Sequence, residues 1–289
     1  MKRVAIVTCK ERLNKVIDDQ LIREKLEKNK VKADIVAWDN KKINWLEYDV
    51  IFIRSVWNSC LKYREYIEFL IYLKNMNKKV INDIDDIINN LWKNKSNKDI
   101  VYINHDLKKF KVEVKKITNN KKINSLVLKP IIGESSYHVY RYNKNSIKAK
   151  NSKGLDYIIK KIYKDNKRYG NPGIIIENFI NEITYGEYCI YYFNSKIIYA
   201  IKKYPSRFQN RKDIEIVNII PSKILKYIND NELIKSGYGR IDLINGEKIY
   251  LMEIEKNDPD LYLRKLNNDT LAKVLEEIYI LLMGENNEQ

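Results

Sequence analysis

The stretch RIDLINGEKIYLMEIE, residues 240–255, places three carboxylates (Asp242, Glu253, Glu255) and one guanidinium (Arg240) on two alternating segments around an Asn-Gly turn. Strand side chains alternate between faces, so Arg240 and Asp242 share a face of the first strand, and Glu253 and Glu255 share one of the second. A connection with an even number of residues, as a two- or four-residue Asn-Gly turn provides, sets even positions opposite odd ones. The four side chains then line one surface. Three carboxylates that close repel unless a cation lies among them. Oxygen donors on rigid strands suit magnesium, which takes few carboxylates together with substrate phosphates. The same pattern also fits a solvent-facing hairpin whose acids pair with Arg240 and nearby lysines.

The chain of 289 residues, 44% hydrophobic, can bury a sizeable core in one large domain or two to three small ones. No apolar run approaches the roughly 20 residues that span a bilayer, and the opening MKRVAIVTCKERLNK turns polar too early for a secretory segment. The expectation is a cytoplasmic protein with no membrane partner. Cys9, Cys60 and Cys189 are widely spaced without a CxxC, which points away from a disulfide framework or a zinc site. His105 and His138 are too few for a histidine-rich metal site, and no GxSxG occurs. The formal charge of +16 raises nucleic acid as a partner. Lysines, however, run through nearly every segment alongside Asn, Ile and Tyr, as A- and T-rich coding produces. A solvated lysine surface is therefore preferred to a nucleic-acid interface, leaving an attraction for small anions.

The elements that must position these groups begin with alternating strands and helices. Strands are predicted over residues 4–9, 33–38, 49–54 and 79–82, with helical spacing from Leu13 to Leu26 and a helix over residues 63–75. That alternation predicts a parallel, doubly wound sheet, and no GxGxxG follows its first strand. Ligands of such sheets sit beyond the carboxyl ends of the strands, where Arg54, whose guanidinium suits a carboxylate, and Trp57, whose ring can wall a pocket, are the most site-like residues; an exposed arginine and a loop-packing tryptophan fit the sequence equally well. Residues 87–104 read as a polar crossing to a second domain. Strands follow over 126–129, 137–142, 174–179, 187–193 and 196–202, residues 143–154 as polar surface, and a closing helix from Leu271 to Leu281 stops at Gly284.

Taken with four further blocks, the hairpin resembles the metal-binding end of ATP-grasp ligases, in which an Asp on one strand and Glu-x-Glu or Glu-x-Asn on the next hold magnesium. The blocks are Val127-Leu128-Lys129-Pro130 with Gly133; Ile176-Glu177-Asn178-Phe179-Ile180; Gly186-Glu187; and Lys203-Tyr204-Pro205-Ser206-Arg207. Within the superfamily, Arg54 and Trp57 near the third strand and the Glu-x-Glu ending are most similar to the branch containing the D-cycloserine cyclo-ligase, with glutathione synthetase more distant. Trp57-Asn58-Ser59 departs from that branch's Trp-Asp-Tyr, and Ser135 and Ser136 stand where glycines are commoner.

The resemblance implies an α/β protein of ATP-grasp architecture: an N-terminal parallel Rossmann-like half domain (1–95), then two α+β subdomains that clasp ATP, a central lid (96–175) and a C-terminal subdomain with the metal site (176–289). It implies an ATP-dependent carboxylate–amine ligase working through an acyl phosphate on a small amino-acid-like substrate, in biosynthesis of a specialised metabolite. Asp242, Glu253 and Glu255 would hold magnesium, two ions, with manganese an alternative. Lys98 and Lys129 would meet phosphate, assisted by the backbone from Gly133 through Ser135 and Ser136. Glu177, Asn178, Phe179 and Ile180 would meet adenine, and Glu187, or Glu182, the ribose. Arg207 and Arg240 would stabilise charge at the reacting centre, and Arg54 and Trp57 would meet the substrate. Two alternatives stand beside this reading: a ligase or macrocyclase acting on a peptide or protein side chain, and a non-catalytic nucleotide- or nucleic-acid-binding protein.

Overall fold

The structure, a computed structural model, describes residues 1–92, 99–103, 106–133, 138–146, 154–205 and 214–284. The strands are β1 (Arg3–Thr8), β2 (Lys32–Ala37), β3 (Val50–Ser55), β4 (Lys79–Ile81), β5 (Asp99–Tyr102), β6 (Ser125–Pro130), β7 (Tyr140–Asn143), β8 (Gly173–Asn178), β9 (Glu187–Phe193), β10 (Lys196–Lys203), β11 (Ile214–Ile216), β12 (Tyr238–Asn245) and β13 (Ile249–Glu255). The helices are α1 (Ile17–Lys28), α2 (Tyr63–Asn75), α3 (Ile84–Asn90), α4 (Leu107–Asn120), α5 (Leu155–Tyr169), α6 (Ser222–Asp230) and α7 (Asn268–Met283). Backbone contacts divide the chain into a larger unit (1–56, 68–90, 182–289) and a smaller one (57–67, 91–181).

The larger unit holds two sheets. The first, in the order β2-β1-β3-β4, is parallel throughout, as the alternation predicts. Its strands are apolar runs because both faces are covered, as parallel strands require. The second, β11-β10-β9-β12-β13, is antiparallel. One core joins them: Val4, Ile6 and Phe52 of the parallel sheet, Cys189, Tyr191 and Phe193 of β9, Ile22 and Leu26 of α1, and Val274, Ile278 and Leu282 of α7. The opposite side of β9 and β12, with Ile190, Tyr192, Ile241 and Leu243, packs on Ile224 and Ile228 of α6. Because β9 is buried on both sides, its sequence EYCIYYF shows no polar alternation.

The smaller unit is an antiparallel sheet, β5-β8-β6-β7, with one face under α4 and α5. Leu126, Leu128, Ile174 and Ile176 meet Phe110, Val114, Ile158 and Ile162 there. The stretch 87–104, expected as a polar crossing to a second domain, runs from the larger unit into the smaller one, and its described residues include the end of α3 and the strand β5, whose Val101 is buried in this core. The strand expected over 137–142 is observed as β7, beginning at Tyr140.

The charge partition differs from the composition. Among the described residues the smaller unit carries 17 Lys and Arg against 7 Asp and Glu, and the larger unit 28 against 27. Lysine is spread evenly, but the acids are not, so the positive excess of the described residues belongs to the smaller unit. Among the described residues no helix is long and apolar enough to cross a membrane.

Candidate functional site

The hairpin acids lie on the face of the larger antiparallel sheet that also carries Cys189 and Tyr191. Pairing sets Arg240 between Glu255 of β13 and Tyr191 of β9, and Asp242 between Glu253 and Cys189. Arg240, Asp242, Glu253 and Glu255 therefore share a face, as the alternation predicts, but not through an even-numbered turn. Asn245 pairs with Ile249, leaving a three-residue connection that would set even positions opposite even ones. An irregularity between Asp242 and Leu243, which leaves Met252 as an extra residue on β13, shifts the register by one and restores the facing.

Arg240 donates from Nε to Asp242 Oδ1 at 2.7 Å and from Nη2 to Oδ2 at 2.8 Å, and the same Nη2 lies 2.7 Å from Glu255 Oε2. From β10, Lys203 Nζ reaches Glu187 Oε2 at 2.9 Å and stands 3.9 Å from Asp242 Oδ2. Burial opposes the charge on Asp242, but Arg240 and Lys203 outweigh it and hold the carboxyl below its usual range. Glu187 is pushed upward, first by burial and then by the charge of Asp242, with Lys203 opposing. Burial also drives the Cys189 thiol well above its ordinary value.

Donor atoms of Glu187, Cys189 and Asp242 lie within 4.8 Å of one another. A buried, protonated thiol is a poor ligand for a hard ion, so this set by itself does not suit magnesium. The wider face does. Asp242, Glu187, Glu253 and Glu255 outnumber Arg240 and Lys203, all their donors are oxygens, and Glu253 and Glu255 remain partly exposed. That excess of negative charge fits a divalent cation accompanied by phosphates.

Two asparagines outside the hairpin hold it. Asn82, just after β4, donates to the carbonyls of Tyr238 (2.8 Å) and Lys256 (2.6 Å) and accepts from the Tyr238 N–H (2.8 Å). Asn90 donates to the Ile254 carbonyl and accepts from the Lys256 N–H, each at 2.7 Å. Arg54 is fully buried: Nη1 donates to Tyr238 Oη at 3.3 Å and to the Pro259 carbonyl at 3.1 Å, and Nε lies 3.7 Å from Asp19 Oδ1. Asp19 also accepts from Ser55 Oγ. Neither the asparagines nor Lys203 and Cys189 were singled out from the sequence for the site. For Lys203 the signal was its place at the head of the Lys-Tyr-Pro-Ser-Arg block.

In the smaller unit, Lys129 Nζ lies 2.7 Å from Glu177 Oε2, both side chains largely buried, on neighbouring strands. Past β8, the Phe179 N–H donates to the Ser125 carbonyl at 2.9 Å. Phe179 and Ile180 are half-buried and Asn178 is exposed. Gly133 follows Ile131 and Ile132, which are buried with Cys60 and Ile175. Trp57 is half-buried. Lys98, Ser135, Ser136 and Arg207 lie outside the described residues.

The fold is that of ATP-grasp ligases, as the comparisons show. Residues 4–82 match the family model described as the N-terminal domain of D-cycloserine synthetase DcsG. The chain is similar to the crystal structure of D-cycloserine synthetase DcsG, with 15% identity and a TM-score of 0.71 over 96% of this chain and 98% of that one. It is also similar to D-alanine–D-alanine ligase from Bacillus anthracis complexed with ATP (14%, TM-score 0.60, 98% and 96% covered). The macrocyclase MdnC from Microcystis aeruginosa MRC, bound with precursor peptide MdnA, gives 12% and 0.60, with 97% and 99% covered. No curated protein matches the chain by sequence. The architecture expected from the motifs is thus observed.

Proposed function

We propose that the protein is an ATP-dependent ligase that activates a carboxylate as an acyl phosphate and joins it to an amine or similar nucleophile, releasing ADP and phosphate. Its substrate is a small amino-acid-like molecule, and its setting the cytoplasmic biosynthesis of a specialised metabolite. The observation that carries this reading is the grouping of Asp242, Glu253 and Glu255 around Arg240 on one sheet face, within a fold shared with ligases.

Asp242, Glu253 and Glu255 would hold magnesium, whose charge offsets repulsion between the phosphates and an incoming carboxylate. Arg240 keeps Asp242 ionised and oriented. Lys129 offers a point charge to phosphate oxygens, and Glu177 holds that lysine in place. Glu187 would accept from a ribose hydroxyl, with Lys203 fixing its carboxylate. Phe179 supplies an apolar wall to adenine. Lys98, Arg207 and the backbone near Ser135 and Ser136 complete the phosphate contacts, and Trp57 the substrate end; Arg54, fully buried against Tyr238, Pro259 and Asp19, supports the site rather than touching substrate. Such chemistry depends on positioning and charge neutralisation, so it needs no Ser or Cys nucleophile.

A peptide acceptor is the second reading, favoured by the positive excess of the smaller unit and by neighbours solved with precursor peptides. Phosphate release from ATP and magnesium, screened over amino acids, D-amino acids, small diacids and short acidic peptides, separates the two. Stimulation by free amino acids supports the first reading and stimulation by peptides alone the second. Release that no carboxylate stimulates, or that Asp242→Asn leaves unchanged, refutes the ligase assignment.

A further inference from the structure

The sheet of the smaller unit has one face under its helices and one that carries charge. On β6, Leu126 and Leu128 are buried among Phe110, Ile158 and Ile162, so Val127 and Lys129 point the other way. Pairing sets Arg141 of β7 and Glu177 of β8 on either side of Val127. Arg141, Val127, Glu177 and Lys129 therefore share the face opposite α4 and α5.

Phe179 stands at the end of this row, and Arg141 lies over it. The guanidinium carbon is 3.7 Å from the ring centroid, a stacking distance. Ser125 fixes both partners: its carbonyl accepts from the Phe179 N–H and its Oγ from Arg141 Nε, each at 2.9 Å. Arg141 is exposed, and no carboxylate among the described residues pairs with it. A surface arginine loses side-chain entropy by being held flat, and among the described residues only the Ser125 hydroxyl and the Phe179 ring offset that loss. Its Nη donors point to a ligand with a planar π-system and ring-nitrogen acceptors. Val127 and Lys129 are two residues apart, about 7 Å of strand, which is on the scale of a nucleoside. One end of the row has a cation suited to phosphate, and the other a stacked arginine and phenylalanine.

We propose that Arg141 is the base-binding residue of the nucleotide site, its guanidinium and the Phe179 ring forming the platform against which the purine is set. This rests on the reading of the protein as ATP-dependent. Phe179 was anticipated as an apolar wall; Arg141 adds planarity, charge and hydrogen-bond donors, and with them preference for a purine over a bare polyphosphate.

The test is calorimetric titration of the whole protein, in magnesium, with ADP and with inorganic triphosphate, for wild type, Arg141→Ala and Arg141→Lys. Arg141→Ala should weaken ADP about tenfold, the scale of a desolvated cation–π contact, and leave triphosphate within about twofold. Arg141→Lys keeps the charge but not the plane, and should still weaken ADP severalfold. Because Arg141 is exposed, thermal unfolding of the ligand-free variants should match wild type. Equal losses for ADP and triphosphate, or none for ADP, overturn the proposal while leaving the ligase reading standing. A wild-type protein that binds no ADP overturns both.

Discussion

Arg240 grips Asp242, two residues along the same strand, by two nearly parallel hydrogen bonds of 2.7 and 2.8 Å, so that both oxygens of the carboxylate face one guanidinium. Such a bidentate pair, buried and continued to Glu255, fixes orientation as well as charge. Asp242→Asn and, separately, Glu253→Gln should each abolish magnesium-dependent ATP turnover while circular dichroism stays native. Full turnover in both variants would contradict the metal assignment.

Lys203 is the cation between Glu187 and Asp242. Replacing it with Met leaves two largely buried acids with less compensation. Turnover should fall by about 10² or more, as expected when one group in a preorganised electrostatic site is removed. Lys203→Arg should recover part of the loss, and steady-state phosphate release reads both.

Gly237 has φ of +80°, and a Cβ there would come within 2.0 Å of Asn82 Oδ1. The same Asn82 oxygen accepts from the Tyr238 N–H and holds the start of β12. Gly237→Ala therefore combines an unfavourable backbone region with displacement of that clamp. We expect a loss of about 2–4 kcal/mol in urea unfolding, where a surface glycine would cost far less.

Asp19 supplies a pH dependence. Burial raises its carboxyl to about 6, although Arg54 and the Ser55 hydroxyl favour the ionised form. In the unfolded chain the group titrates near its ordinary value of about 3.9. Between these values the folded chain keeps a proton that the unfolded chain has released. The contribution of Asp19 to stability therefore falls as pH rises from about 4 to about 6 and is level above that. Melting temperatures of wild type and Asp19→Asn, compared from pH 7 to 4.5, should show the wild type gaining on the variant as pH falls. A constant difference would mean that Asp19 does not titrate in that range.

The parallel sheet was legible because its strands are apolar runs broken by helical spacing, and both signals are local. The helix α4 was not, since FKVEV within it alternates like a strand; Phe110, Val114 and Thr118 make it a helix by packing at four-residue intervals. In the hairpin the shared face was read correctly although the connection is odd-numbered, because the extra residue at Met252 cancels the difference. No sequence rule announces that irregularity. The acids were visible as types, whereas their supports were not, because Asn82 acts 156 and 174 positions away along the chain. Arg54, at a strand end, suggested a carboxylate partner in a ligand; the one it meets is Asp19, and its carbonyl partner, Pro259, lies 205 positions on.

The two bonds of Asn90 to the backbone at Ile254 and Lys256 have a meaning beyond support. The strand β13 is the edge of its sheet, and an open edge is a template on which another chain can add. A side-chain amide, with one donor and one acceptor, imitates the strand that would do so and occupies its place. The rim that bears the acids is thereby closed to strand addition at its last residues, and self-association of the chain has no foothold there.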